Sequence, residues 1–168
     1  MPVHDGSGAG GGDGVAAEVV RSLRAAGLTV GCAESLTAGQ VCAALADVPG
    51  ASEVLRGGVV AYATDVKASV LGVPAEHLQR TGPVDAGVAE AMARGAAALL
   101  HADLGVATTG VAGPGPHDGH PAGTVYVAVA APGGGPSRVR RLALGGDRSA
   151  VRAGATAAAL QLLRELLP

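Results

Sequence analysis

The 168-residue sequence contains no tryptophan and no phenylalanine, and its only aromatic side chains apart from histidine are Tyr62 and Tyr126. A base-stacking surface for single-stranded nucleic acid needs several such rings, so the composition argues against one. Basic charge is also missing. Twelve Lys and Arg face 14 Asp and Glu, a net charge of -2, which leaves no electrostatic footprint for a nucleic-acid partner. No apolar run approaches the roughly 20 residues that cross a bilayer, and no charged segment followed by an apolar one opens the chain. The expectation is a soluble, cytoplasmic protein with no membrane partner. Two cysteines, Cys32 and Cys42, are too few and too irregularly spaced for a disulfide framework or a zinc site, and read as small buried residues. The stretch "HDGH" at 117–120 sits among Gly and Pro and reads as a solvated loop rather than a metal site.

Lysine is the scarcest charged residue. Of the 12 basic side chains 11 are arginine, and Lys67 is the one lysine. A chain rich in Ala, Gly and Arg replaces surface lysine with arginine wherever either serves. A position that stays lysine is a candidate for what arginine does not do, which is to lose a proton at accessible pH.

Residues 1–13 are Gly-rich and read as a disordered tail, leaving 14–168 as one domain. Val15, Val19, Val20, Leu23 and Ala26 recur at helical spacing. "LTVGCA" (28–33) reads as a buried strand, followed by a helix from about Thr37 to Asp47. "GGVVAYA" (57–63) reads as a second strand, with Asp65 capping a short helix through Leu71. A helix from about Asp85 to His101 precedes a third strand, "LGVATTG" (104–110). "TVYVAVAAP" and "SRVRRLALG" flank a glycine turn as a hairpin. A last helix runs from about Arg148 to Leu167 with Asp147 as its cap. Helices and strands alternate early and strands pair late. This order predicts an α/β, single-domain layered sandwich, a mixed sheet with helices on both faces.

Four polar clusters fall at the junctions of these elements: Glu34–Ser35–Thr37, Tyr62–Thr64–Asp65–Lys67, Thr108–Thr109–Gly110 and Gly146–Asp147–Arg148. Strand ends are where sites assemble in open α/β sheets. Each cluster alone also has a structural explanation, since Ser35 or Thr37 suits a helix cap and Asp147 another. Their coincidence at junctions points to a site. There is no G-x-x-x-x-G-K-[ST] and no G-x-S-x-G, and "GVAGPG" with its prolines does not fit a Rossmann turn.

Five blocks, "AESLTAG", "GGVVAYATDVKASVLGV", "TTGVAGP", "PAGTVYVAV" and "GDRSAVR", resemble in order and spacing the carboxy-terminal domain of CinA proteins, a family that includes stand-alone nicotinamide-nucleotide amidases. The resemblance covers about residues 14–167 and lacks room for the added amino-terminal domain of two-domain members. It implies hydrolysis of nicotinamide mononucleotide to nicotinate mononucleotide and ammonia, in pyridine nucleotide salvage, by a dimer of such domains with neither cofactor nor metal. It places the nucleophile at Ser35 and the catalytic Tyr and Lys at Tyr62 and Lys67. Thr37, Thr64, Thr109, Gly110 and Arg148 fall at substrate-binding positions. The sequence departs from the family pattern at Leu36 (often Cys), Ala38 (often Gly), Thr64 (often Asn), Thr109 (often Ser) and Asp85 (often Ser). The other class compatible with the resemblance is a catalytically silent domain that binds a nucleotide or a protein.

In a mechanism of this kind a neutral Lys67 takes the serine proton. Backbone N–H groups around Ser35 or Thr109–Gly110 meet the oxyanion. Tyr62 orients Lys67 or covers the pyridine ring, and Arg148 at a helix start holds the phosphate.

Overall fold

The computed structural model describes residues 12–168, so the expected tail at 1–13 lies almost wholly outside the described residues. The chain order is α1 (Gly12–Ala26), β1 (Val30–Glu34), α2 (Gln40–Ala46), β2 (Leu55–Val60), α3 (Thr64–Ser69), α4 (Ala75–Thr81), α5 (Ala86–Leu99), β3 (Leu104–Gly110), β4 (Thr124–Ala130), β5 (Ser137–Ala143) and α6 (Arg148–Leu166), with a 3-10 turn at Ala51–Glu53. The five strands form one sheet in the order β2-β1-β3-β4-β5. The first three are parallel, and β4 and β5 join antiparallel as the expected hairpin.

The sheet is mixed and covered on both faces, the architecture the alternation of elements predicts. On one side Val19 and Leu23 of α1, Leu45 of α2 and Val151, Leu162 and Leu163 of α6 pack with Val30, Val106 and Val127. On the other, Val88, Met92, Ala93 and Ala96 of α5 meet Ala33, Ala107 and Ala128, with Leu71, Val73 and Leu78 closing the layer. Small residues let α5 lie close. A Cβ on Gly105 would collide with the carbonyl of Ala93, so no larger residue fits that contact.

Two local expectations are corrected. α2 begins at Gln40 rather than Thr37, because Thr37 is drawn inward by Glu34 instead of capping the helix. Asp65 caps nothing: α3 starts after Ala63, which gives no side-chain cap, and Asp65 lies exposed in the first turn. Residues 75–81, to which the sequence pattern assigned no element, form α4. Asp147 caps α6 as expected, accepting from Ala150 N–H, and Asp85 caps α5, accepting from the Gly87 and Val88 N–H groups. Cys32 is buried and Cys42 half-buried, both as free thiols.

The chain enters β1 between its two parallel neighbours, crossing to β2 over one face through α2 and to β3 over the other through α5. The carboxyl ends of β1, β2 and β3 therefore point to one edge, where a crevice opens at the change of winding direction. The turn after β1 is fixed by Glu34, the last residue of that strand and only 1% exposed. Its carboxylate accepts from Thr37 Oγ1 (2.6 Å) and from the N–H groups of Gly39 (2.9 Å), Val41 (3.1 Å) and Cys42 (2.8 Å). α2 has no side-chain cap of its own, and Glu34 supplies one from the preceding strand. Glu34→Ala leaves these buried donors without an acceptor. The expected loss is about 3 kcal/mol, roughly a 10 °C fall in melting temperature by calorimetry. Glu34→Gln, which keeps one acceptor oxygen, should lose less.

Candidate active site

Ser35 follows β1 directly, and its backbone N–H continues the parallel ladder by donating to the Thr108 carbonyl (3.1 Å). Its side chain is therefore placed by the sheet itself. Lys67 arrives from the end of β2, on the last turn of the short helix α3. The two side chains meet at 2.9 Å, Nζ to Oγ. Lys67 is 1% exposed, and its other partners are neutral carbonyls, Ala61 O at 2.7 Å and Tyr62 O at 3.4 Å. Among the described residues no carboxylate pairs with it. Burial without a counter-charge penalises the ammonium, and pulls the Lys67 pKa down to about 8. An Asp65 carboxylate turned toward Lys67 would raise it instead. Asp65 is exposed and contributes nothing to the shift, so desolvation wins.

The pair lies at the floor of a cleft of about 340 Å³. Its wall includes Tyr62, Thr64, Thr109, Gly110, Pro83 and Arg148, with the loop 111–117 along one side. Five of the expected site positions other than Ser35 and Lys67 thus share one cavity. Thr37 does not. It is fully buried behind the wall, where Oγ1 bonds to Glu34 and to Thr108 Oγ1 (2.7 Å). The expectation is corrected for the Thr37 side chain, whose hydroxyl braces the turn from behind the wall. Thr109 lines the cleft, yet its hydroxyl donates to the Pro83 carbonyl (2.7 Å), tying the end of β3 to the opposite wall. Tyr62 reaches Lys67 through its backbone carbonyl alone; its ring is half-exposed and its hydroxyl accepts from Arg148 Nη2 (2.6 Å). Arg148 Nη1 donates to the Gly113 carbonyl (2.8 Å), so this guanidinium spans the rim between the two loops.

Two departures from the family pattern acquire a physical reading. Ala38 sits at φ 48°, in the left-handed region where glycine is at ease and alanine carries a cost of about 1 kcal/mol. Asp85 caps α5 and also takes His77 Nε2 at 2.6 Å. Burial alone would raise the Asp85 pKa, but the His77 contact and the two α5 N–H groups outweigh it and hold the carboxyl below its usual range. That capped pair anchors the neighbouring Pro83–Val84 wall.

Sequence reasoning missed three contributors. Glu34 was noticed only as a neighbour of Ser35. His117, read as part of a solvated loop, is exposed but lines the cleft. Arg152 was not singled out. It donates through Nε to the Leu36 carbonyl (2.8 Å) and through Nη2 to the Thr37 carbonyl (3.2 Å). The backbone donor expected at Ser35 is spent on Thr108. The N–H groups of Leu36 and Thr37, by contrast, donate to no group among the described residues. No group of three or more His, Cys, Asp or Glu with metal-binding placement occurs among the described residues, and none of their helices is long and apolar enough to cross a membrane.

A family model for the CinA C-terminal domain matches residues 12–167. The chain belongs to the CinA C-terminal domain family. Among its relatives, a CinA-like protein of Frankia casuarinae is 48% identical over 139 residues, covering 83% of this chain and 32% of that protein. A putative competence-damage inducible protein of Streptococcus thermophilus is 44% identical over 156 residues, covering 91% and 36%. The chain thus spans about a third of the length of the curated relatives it matches. Solved structures of this family share the fold. The competence/damage inducible protein CihA from Agrobacterium tumefaciens superposes with a TM-score of 0.87 at 33% identity, covering 99% of both chains. A CinA superfamily protein from Escherichia coli gives 0.87 at 32% identity, covering 99% of this chain and 95% of that one.

The sign of the Lys67 shift makes stability depend on pH. The folded value lies below that of an unfolded lysine, about 10.4. Between pH 8 and about 10.4 the unfolded chain therefore binds more protons, and stability rises with pH over that window. Urea unfolding of the native protein and of Lys67→Met, compared at pH 7 and pH 10, should move the difference toward the native protein by at most about 3 kcal/mol.

Proposed function

We propose that this CinA-family domain is an amidohydrolase that converts nicotinamide mononucleotide to nicotinate mononucleotide and ammonia. Ser35 is its nucleophile and Lys67 its base. The observation that carries the reading is the 2.9 Å contact between a buried, uncompensated lysine and a serine at the floor of a cleft.

A neutral amine has two N–H bonds and one lone pair. The Ala61 and Tyr62 carbonyls take the two N–H bonds, which turns the lone pair toward Ser35 Oγ. With a pKa of about 8, roughly one Lys67 in ten is neutral at pH 7, against a few in ten thousand for free lysine. Lys67 Nζ takes the hydroxyl proton as Oγ bonds to the carboxamide carbon, and the carbonyl pair moves onto oxygen. Collapse breaks the C–N bond, and the Lys67 proton goes to the nitrogen, which leaves as ammonia. Water then attacks the resulting ester with Lys67 again as base, releasing the carboxylate and restoring Ser35. Tyr62 and Arg148 together frame the rim. In this reading Arg148 keeps N–H groups to offer the substrate phosphate beyond the two it uses at Gly113 and Tyr62. The start of α6 is the weaker anion site, since Asp147 already accepts from Ala150 there.

Purified protein supplied with nicotinamide mononucleotide should release ammonia. The rate should climb along one ionisation near pH 8, because the base works only after losing its proton. Ser35→Ala should stay folded and lose nearly all turnover. Lys67→Arg should be as inactive, since arginine keeps its charge. Ligand-induced stabilisation without any ammonia would instead favour a silent nucleotide-binding domain. A Ser35→Ala enzyme that keeps turning over would remove Ser35 from the mechanism.

A further inference from the structure

Ser35, once it attacks, needs donors for the charge that forms on the substrate oxygen, and its own N–H is engaged with Thr108. The next two residues are differently placed. The Ser35 carbonyl accepts from Ala38 N–H (3.1 Å), and the Thr37 carbonyl from Gln40 N–H (3.1 Å). Arg152, reaching across from α6, takes the Leu36 carbonyl at 2.8 Å and shares the Thr37 carbonyl at 3.2 Å. All three successive carbonyls are therefore held. In a trans peptide the N–H points opposite to the carbonyl of the same unit. Pinning the Ser35 and Leu36 carbonyls thus aims the Leu36 and Thr37 N–H groups the other way, and both are without a partner among the described residues. Leu36 lines the cleft while its side chain is buried in the core, so its backbone has little freedom to turn. The N–H groups just beyond, at Gly39, Val41 and Cys42, are already filled by Glu34.

We propose that Arg152 is a positioning residue that holds the Leu36 and Thr37 N–H groups as the oxyanion donors of Ser35. This rests on the Ser35 nucleophile proposed above. The planar fork of Arg152 serves both carbonyls at once from Nε and Nη2, and a guanidinium keeps its charge at any working pH. Arg152 also lies one helical turn beyond Arg148 on α6, so that one helix supports both the rim and the nucleophile turn. A purely structural clamp between α6 and the turn would act on stability alone. An oxyanion-positioning clamp acts on the reactivity of Ser35.

The test reads that reactivity with a fluorophosphonate, which needs no particular substrate pocket: serine Oγ bonds to phosphorus, negative charge builds on the phosphoryl oxygen, and the P–F bond breaks to release fluoride. Labelling is followed by intact mass and peptide mapping on native protein, Arg152→Met and Arg152→Lys, with folding checked by circular dichroism and melting temperature. The expected result is labelling of Ser35 in the native protein along an ionisation near pH 8. Arg152→Met should label on the order of 10²-fold more slowly, with the ionisation unmoved. Arg152→Lys, able to reach one carbonyl, should recover part of the rate. In the amidase assay the same variants should lose kcat with KM little changed. A folded Arg152→Met or Arg152→Lys that labels at the native rate overturns the proposal. Native protein that labels at Ser35 but leaves nicotinamide mononucleotide intact overturns the substrate reading and leaves the role of Arg152 supported. Native protein whose Ser35 does not label overturns both.

Discussion

The site depends on one uncompensated charge. Lys67 is buried with a serine hydroxyl and two backbone carbonyls for company and no carboxylate among the described residues. An ammonium in that position is costly to keep. The fold accepts the cost by shifting the equilibrium toward the neutral amine, which is the form a general base needs. Had Asp65 turned inward, the ion pair would have stabilised the ammonium and raised the pKa instead. Its exposure is therefore as much a part of the site as the burial of Lys67.

Opposite Lys67, the turn that bears Ser35 is overdetermined. β1 fixes its start through the Thr108 contact, Glu34 fills the donors at the start of α2, and Arg152 holds the carbonyls from outside. The left-handed backbone at Ala38 persists because these bonds outweigh its strain. The far wall is similarly tied, by Thr109 to Pro83 and by Asp85 to His77 and α5. Both walls rest on the ends of parallel strands, so the reacting groups sit on rigid elements and the loop 111–117 lies to one side.

What the sequence made legible follows from how local each signal is. The alternation of Val-rich strands with apolar helical stripes carried the sheet, its hairpin and the helices α5 and α6, because each pattern spans ten or so neighbouring residues. The short α4 escaped because seven residues of "AEHLQRT" hold too few turns to display a period. Thr37 was misplaced for a different reason. A threonine ahead of a helix reads as a cap or a contact, and only the burial of Glu34 three residues earlier reveals that it faces inward. Lys67 was legible through scarcity alone. Arg152 was not: it closes the block "GDRSAVR", but its partners lie 115 and 116 positions away, so the block gave it no role. Block-by-block resemblance located Tyr62 and Arg148, but their mutual hydrogen bond across 86 positions exists only in the folded chain.

The central claim is that Lys67 is poised to be neutral, and the sequence makes it directly measurable. With one lysine in the chain, protein grown on lysine labelled with carbon-13 at Cε gives one side-chain resonance to follow. Its chemical shift, titrated from pH 6 to 11 by NMR, should turn over with a midpoint near 8. A midpoint at the ordinary lysine value, about 10.4, would contradict the account and leave Ser35 without its base.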